Sequence, residues 1–269
     1  MAASKPKIMT VYGTRPEAIK VAPVVSALQD DDRFESVVVS TGQHREMLEQ
    51  VNKRFGIVPD YDMALMKPGQ SLNELVSRAL VGLDEIVVQE QPDAIISQGD
   101  TSTAMAAALA GFHRGVKIVH LEAGLRTGNI FSPYPEEANR KIIGQVASLH
   151  LATTAESKEN LRRENFRTKD IVVAGNTVID ALLAASEWDV NFEDPHLEAL
   201  RGGDKRVILV TTHRRENFDA MNEIGGAVQD LAKKYPDHTF ALPLHLNPKV
   251  REAVLPEVKD LPNVIITDP

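Results

Sequence analysis

The chain has 269 residues, 43% of them hydrophobic and 25% charged, the balance of a globular protein with enough apolar material for a sizeable core. Its net charge of -8 argues against a nucleic-acid partner, which demands a basic footprint, but leaves room for a small anion held by a few arginines. With no cysteine there is no disulfide, thiol catalysis or cysteine-ligated metal; with no long apolar run and no apolar segment from Met1 to Lys7, the expectation is a cytoplasmic protein without membrane association.

Short apolar runs alternate with amphipathic stretches. Ile8 to Tyr12 is predicted as a strand and Pro16 to Leu28 as a helix; Val37 to Ser40 is a strand and His44 to Phe55 a helix. Leu75, Val76, Ala79, Leu80, Leu83, Ile86 and Val87 form the stripe of a helix packed on one face. Ala94 to Ser97 is a strand, Thr101 to His113 an Ala-rich helix, Ile118 to Leu121 a strand and Glu136 to Val146 a helix. Leu149 to Ala152, a helix over Ser157 to Glu164, and Ile171 to Ala174 continue the rhythm. Ala185 to Asp204, with its Asn, Pro and Gly residues, is expected to be a connector. Strands then follow at Val207 to Val210, Thr239 to Leu242 and Val264 to Ile266, with a helix over Met221 to Lys234.

The fold class expected is α/β: two Rossmann-like domains, residues 1–175 and 176–269, with parallel sheets covered by helices on both faces. Three strands make the second domain incomplete on this reading. Ligands in such sheets bind beyond the carboxyl ends of the strands.

Five junctions carry candidate chemistry. Gly13-Thr14-Arg15-Pro16-Glu17 joins a strand to a helix, so its N–H groups and Arg15 suit an anion; a capped turn with a surface arginine is the plainer alternative. The dinucleotide fingerprint is absent, which disfavours an NAD site. At Gln98-Gly99-Asp100-Thr101, either Asp100 or Thr101 suits a helix N-cap. Glu122 closes an apolar strand, where it is either neutralised by Arg126 or chemically active. Glu136 opens a helix, a favourable place for an acid in any case. Asp100, Glu122 and Glu136 together are the unusual feature, because three carboxylates on one sheet edge suit acid and base work at one site. His213 and Arg214, directly after a strand, suit a diphosphate; His213 and His245 lack a third ligand at sensible spacing, so no metal is expected.

GTRPEAIK at 13–20, GQH at 42–44, QGDTST at 98–103, HLEAGLRT at 120–127, SPYPEEANR at 132–140, GNTVID at 175–180, THRREN at 212–217 and PLHLNP at 243–248 occur in order along the chain. This series resembles the non-hydrolysing UDP-N-acetylglucosamine 2-epimerases. The resemblance implies a GT-B-like architecture with the site in a cleft between the domains. It implies interconversion of UDP-GlcNAc and UDP-ManNAc with no added cofactor, in a homodimer, for cell-surface polysaccharide precursors. Asp100, Glu122 and Glu136 would be catalytic, and Arg15, Lys20, His213 and Arg214 would hold the UDP-sugar. Some bacterial members bind a second UDP-GlcNAc as activator, near the segments holding Gln43 and His245; here Glu46 and Gly69 stand where more polar or basic residues would help such a site. The family continues past the point matching Pro269 with runs that clasp uridine and phosphate.

Overall fold

A computed structural model describes residues 5–42, 45–67, 69–192, 194–211 and 220–268. Within it the chain divides into two compact units, Met1–Glu187 and Trp188–Pro269.

The first unit holds strands β1 (Lys7–Tyr12), β2 (Glu35–Ser40), β3 (Tyr61–Asp62), β4 (Ala94–Gln98), β5 (Lys117–Ala123), β6 (Leu149–Ala152) and β7 (Ile171–Val173). Its helices are α1 (Arg15–Gln29), α2 (Arg45–Phe55), α3 (Leu72–Glu90), α4 (Ser102–His113), α5 (Glu136–Val146), α6 (Ala155–Arg163) and α7 (Thr177–Ser186). The strands form one parallel sheet in the order β3-β2-β1-β4-β5-β6-β7. The order runs outward in both directions from the β1/β4 pair, so the loops after β1 and β4 part there and leave the crevice where open α/β sheets take their ligands.

Alternate residues of the central strands feed two cores. Met9, Val11, Val37, Val39 and Ile95 face Leu75 and Leu83 of α3 and the alanines of α4. Tyr12, Val38, Ile96 and Leu121 face Ala18, Val21 and Val25 of α1. Both faces are buried, hence the near-continuous apolar strands. The small residues of α4 allow a close approach: a Cβ on Gly111 would stand 2.6 Å from Ile95 Cδ1 and 2.7 Å from Ile118 Cδ1.

The helices start where their caps allow. Thr14 and Glu17 form a reciprocal capping box on α1, as do Ser71 and Glu74 on α3. Thr101 caps α4 through Ala104 N, and Thr154 caps α6 through Ser157 N.

The second unit has a three-stranded parallel sheet, in the order β10 (Val264–Thr267), β9 (His238–Pro243), β8 (Arg206–Leu209). The short helix α8 (Pro195–Glu198) precedes it. Helices α9 (Met221–Lys234) and α10 (Pro248–Val258) pack together, and Met221, Val228, Leu242, Leu244, Val250, Val254 and Val258 form the core.

The strand–helix alternation matches the expected class. The elements β3, α7, α8 and α10 are additions to the sequence reading. The unit boundary also follows α7 rather than Gly175, because α7 packs on α1 of the first unit. Among the described residues no helix is long and apolar enough to cross a membrane.

Candidate active site at the carboxyl edge of the first sheet

Glu122 is the most unusual residue of this edge. The pairing of β5 with β6 slips between Leu121 and Ala123, and Glu122 sits in that bulge with a left-handed φ of +64°. A non-glycine residue there is strained by roughly 1–3 kcal/mol, a cost typical of sites where a bulge re-aims a side chain. The carboxylate is then fixed by donors. Lys20 Nζ donates to Oε1 at 2.7 Å and to Oε2 at 2.6 Å. Gln98 Nε2 donates to Oε2, and Asn176 Nδ2 donates to Oε1 at 3.1 Å. Asn176 does two jobs, since its Oδ1 accepts from Val178 N and caps α7.

Arg126 does not neutralise Glu122, contrary to one of the two readings of the sequence. It forms a two-pronged pair with Glu164, at 2.9 and 2.8 Å, and Lys141 adds a third bond at 2.7 Å. The guanidinium and ammonium hold the Glu164 carboxyl down at about 2. Arg126 is thereby committed to tying the loop after β5 to the end of α6.

Asp100 lies two residues past β4. Thr101, not Asp100, is the cap of α4, which leaves the aspartate carboxylate free for other partners. Arg140 Nη2 stands 2.5 Å from Asp100 Oδ2, and Asn139 Nδ2 donates to the Asp100 carbonyl at 2.8 Å. Both grips come from α5. Glu136, the first residue of that helix, is three and four positions before them and so shares their face. Glu136 is half-buried and has no cation partner among the described residues. The structure therefore places Asp100 and Glu122 at the same edge of adjacent strands, each with its own cation. Their mutual repulsion is relieved by Arg140 and Lys20 rather than left standing, as three bare carboxylates would have it.

The turn after β1 follows the plainer of its two readings, a capped turn with a surface arginine. Its N–H groups are not open to an outside anion: Gly13 N and Thr14 N both donate to Glu17 Oε2, at 3.0 and 2.7 Å. Thr101 Oγ1 donates to the other oxygen, Oε1, at 2.6 Å. Buried Glu17 thus ties the β1–α1 turn to the β4–α4 turn, and its burial raises its pKa. Arg15 is exposed beside this turn and meets no carboxylate among the described residues.

His120 is a structural member of the site that the sequence reading passed over. It is fully buried, and its Nε2 is 2.8 Å from the Gly99 carbonyl. Burial pushes its pKa down to about 4, so the ring is neutral and its Nε2–H is the donor. Gly99 N returns a bond to the Leu121 carbonyl at 2.9 Å. The loop bearing Asp100 is stitched in this way to the strand bearing Glu122.

In the second unit His245 is half-buried at the end of β9, and its Nδ1 accepts from Asn247 N at 3.0 Å. Gln43, His213 and Arg214 lie outside the described residues. Among the described residues no cluster of His, Asp and Glu is arranged to hold a metal.

A family model described as UDP-N-acetylglucosamine 2-epimerase matches residues 26–269. The chain belongs to this family. It is 47% identical to the UDP-N-acetylglucosamine 2-epimerase of Yersinia pestis over 98% of its own length and 72% of the relative's. The enzyme of that name from Escherichia coli K12 matches with the same identity and coverage. The crystal structure of the Neisseria meningitidis UDP-GlcNAc 2-epimerase bound to UDP-GlcNAc superposes with a TM-score of 0.85, at 42% identity, covering 98% of this chain and 72% of that one. The epimerase fold is a GT-B-like pairing of α/β units, and the two sheets described above are its counterparts here.

Proposed function

We propose that this protein interconverts UDP-GlcNAc and UDP-ManNAc without hydrolysis. A base removes the C2 proton while the C1–O bond to UDP breaks, the electron pair of C1–O leaving with UDP. The intermediate is the glycal, 2-acetamidoglucal. UDP then re-adds to C1 as an acid returns a proton to C2 on the opposite face. C2 has no adjacent carbonyl, so loss of UDP is what makes its proton removable.

Asp100, Glu122 and Glu136 supply the acid and base groups. Arg15 and Lys20, with His213 and Arg214, hold the diphosphate and retain UDP while it is free. Glu122 is the observation that carries the reading. Placing a carboxylate in a left-handed bulge and holding it with three side chains is costly unless its direction matters. No nucleotide cofactor is needed, because proton transfer and a good leaving group complete the chemistry. The proposal includes a cytoplasmic homodimer serving cell-surface polysaccharide synthesis, and Gln43 and His245 as the place to look for an effector.

The test is incubation with UDP-GlcNAc in heavy water. The expected product is UDP-ManNAc carrying one deuterium at C2, with no stoichiometric free UDP. Free UDP released with N-acetylmannosamine would indicate a hydrolysing enzyme. Transfer of the sugar to an acceptor, with no deuterium at C2, would indicate a glycosyltransferase.

A further inference from the structure

Asp100 lies in a turn between Gly99, at φ +72°, and the cap Thr101, where no strand pairing holds the side chain. Three residues of α5 do the holding. Arg140 Nη2 meets Asp100 Oδ2 at 2.5 Å, while Nη1 of the same guanidinium donates to Glu137 Oε2 at 3.0 Å. Glu137 is fully buried, and its other oxygen accepts from Gly128 N at 3.3 Å. Asn139, also buried, holds the Asp100 carbonyl.

A guanidinium is a planar fork, so fixing one nitrogen fixes the direction of the other. Glu137 fixes Nη1 from inside the protein, and Nη2 is thereby held within ion-pair distance of one oxygen of Asp100. Oδ1 accepts no hydrogen bond among the described residues, which leaves it as the oxygen able to face a substrate. The same helix begins at Glu136, so one rigid element sets the spacing of two of the three carboxylates.

We infer that Arg140, anchored by buried Glu137, is the positioning residue that holds Asp100 in its reactive orientation and leaves Oδ1 free for the sugar; this rests on the epimerase reading of Asp100. Neither Arg140 nor Glu137 touches substrate in this account. Both act through Asp100.

The experiment compares Arg140→Gln, Arg140→Lys and Glu137→Gln with the unmodified protein, and adds a cycle with Asp100→Asn. Turnover of UDP-GlcNAc, UDP affinity by calorimetry and thermal midpoints are read. Arg140→Gln is expected to lower kcat on the order of a hundredfold, as for a misplaced catalytic group, with KM and UDP affinity within about threefold. Arg140→Lys keeps the charge without the fork and should recover about a tenth of the rate. The midpoint shifts of Arg140→Gln and Asp100→Asn should fail to add by several degrees. Wild-type kcat in Arg140→Gln would overturn the inference, as would additive midpoint shifts. A purely structural role would lower the midpoint equally with and without Asp100 and leave kcat per folded molecule unchanged. If Arg140→Gln does not fold, Arg140→Lys decides on the same split of kcat from KM. If the unmodified protein proves not to epimerise, the functional reading falls, while the midpoint cycle still decides whether Arg140 holds Asp100 in solution.

Discussion

The ammonium of Lys20 bridges both carboxylate oxygens of Glu122, at 2.7 and 2.6 Å, from a position 102 residues away in the chain. Lys20 is on α1, the helix that follows the Arg15 turn, and Glu122 is on β5. The pair joins the proposed diphosphate side of the site to its proposed acid–base side. With the diphosphate placed as proposed, phosphate charge arriving at Lys20 would be felt at the carboxylate.

Glu122→Gln should nearly abolish epimerisation while leaving UDP affinity within about tenfold, or roughly 1.4 kcal/mol. The amide fills the same space and its one oxygen can still accept from Asn176 or from Gln98, whose own amide can turn its oxygen toward the new NH2, so the fold should survive. Turnover assays and calorimetry on one preparation check this. Wild-type turnover would remove Glu122 from the mechanism, and loss of folding would make the carboxylate structural.

Arg15→Ala should weaken UDP binding about tenfold without lowering the thermal midpoint. Its side chain is exposed and holds nothing else among the described residues. A guanidinium–phosphate contact is a charge-assisted bond worth roughly 1.5–3 kcal/mol. Unchanged affinity by calorimetry would move the diphosphate site elsewhere.

Acid should destabilise the first unit in two stages. Burial lowers His120 from 6.5 to about 4, so the unfolded chain takes up that proton first. The stability it contributes is complete above pH 6.5 and is lost as pH falls toward 4, a change on the order of 3 kcal/mol. Glu164, lowered from 4.5 to about 2 chiefly by its hydrogen bonds from Arg126, contributes stability present above pH 4.5 and lost as pH falls through about 2. Glu17 works the other way, because burial raises its pKa; its contribution is present at low pH and lost as pH rises. Thermal midpoints of the unmodified protein and of His120→Gln, compared between pH 7 and pH 4.5, check the sign. The variant should show the flatter profile, and equal slopes would contradict the assignment.

Gly13→Ala should destabilise the protein by about 1–3 kcal/mol, a shift of several degrees. The added Cβ would stand 2.1 Å from Thr41 Oγ1 and 3.0 Å from Thr103 Oγ1, and Thr41 is fully buried. Gly226→Ala in α9 is the control, since nothing lies within 4 Å of its added Cβ and alanine is the better helix former. It should leave the midpoint unchanged or raise it. Equal effects of the two substitutions on thermal unfolding would refute the packing argument at Gly13.

The alternation of strand and helix was legible because it follows from burial on both faces of a parallel sheet, as at Met9, Val11 and Tyr12. Helix α7 was not. It packs on α1, but of its apolar residues only Ala181 is buried while Ile179, Leu182 and Leu183 are exposed, so its sequence, apolar nearly all round, does not mark which face packs. β3 has two residues, too few for any period. The carboxylates were legible as residues at strand ends, but their partners were not. Lys20, Gln98 and Asn176 reach Glu122 from three separate segments, and the cation nearest in sequence, Arg126, turned out to serve Glu164. Which charge meets which is decided by the bulge at Glu122 and the placement of α7, neither of which has a local signature. The motif strings around Gln98, Asn139, Arg140 and Asn176 were the available signal.

The central claim is that UDP leaves C1 and returns. It is tested most directly with UDP-GlcNAc carrying oxygen-18 in the bridge between C1 and phosphorus. If UDP departs and is held, the labelled oxygen becomes equivalent to the other terminal oxygens of the β-phosphate. Substrate recovered before equilibrium should then show the label moved into non-bridging positions, by phosphorus NMR, alongside deuterium at C2. Formation of UDP-ManNAc with every label still in the bridge, and with neither 2-acetamidoglucal nor UDP recovered when the reaction is quenched during turnover, would contradict the elimination account.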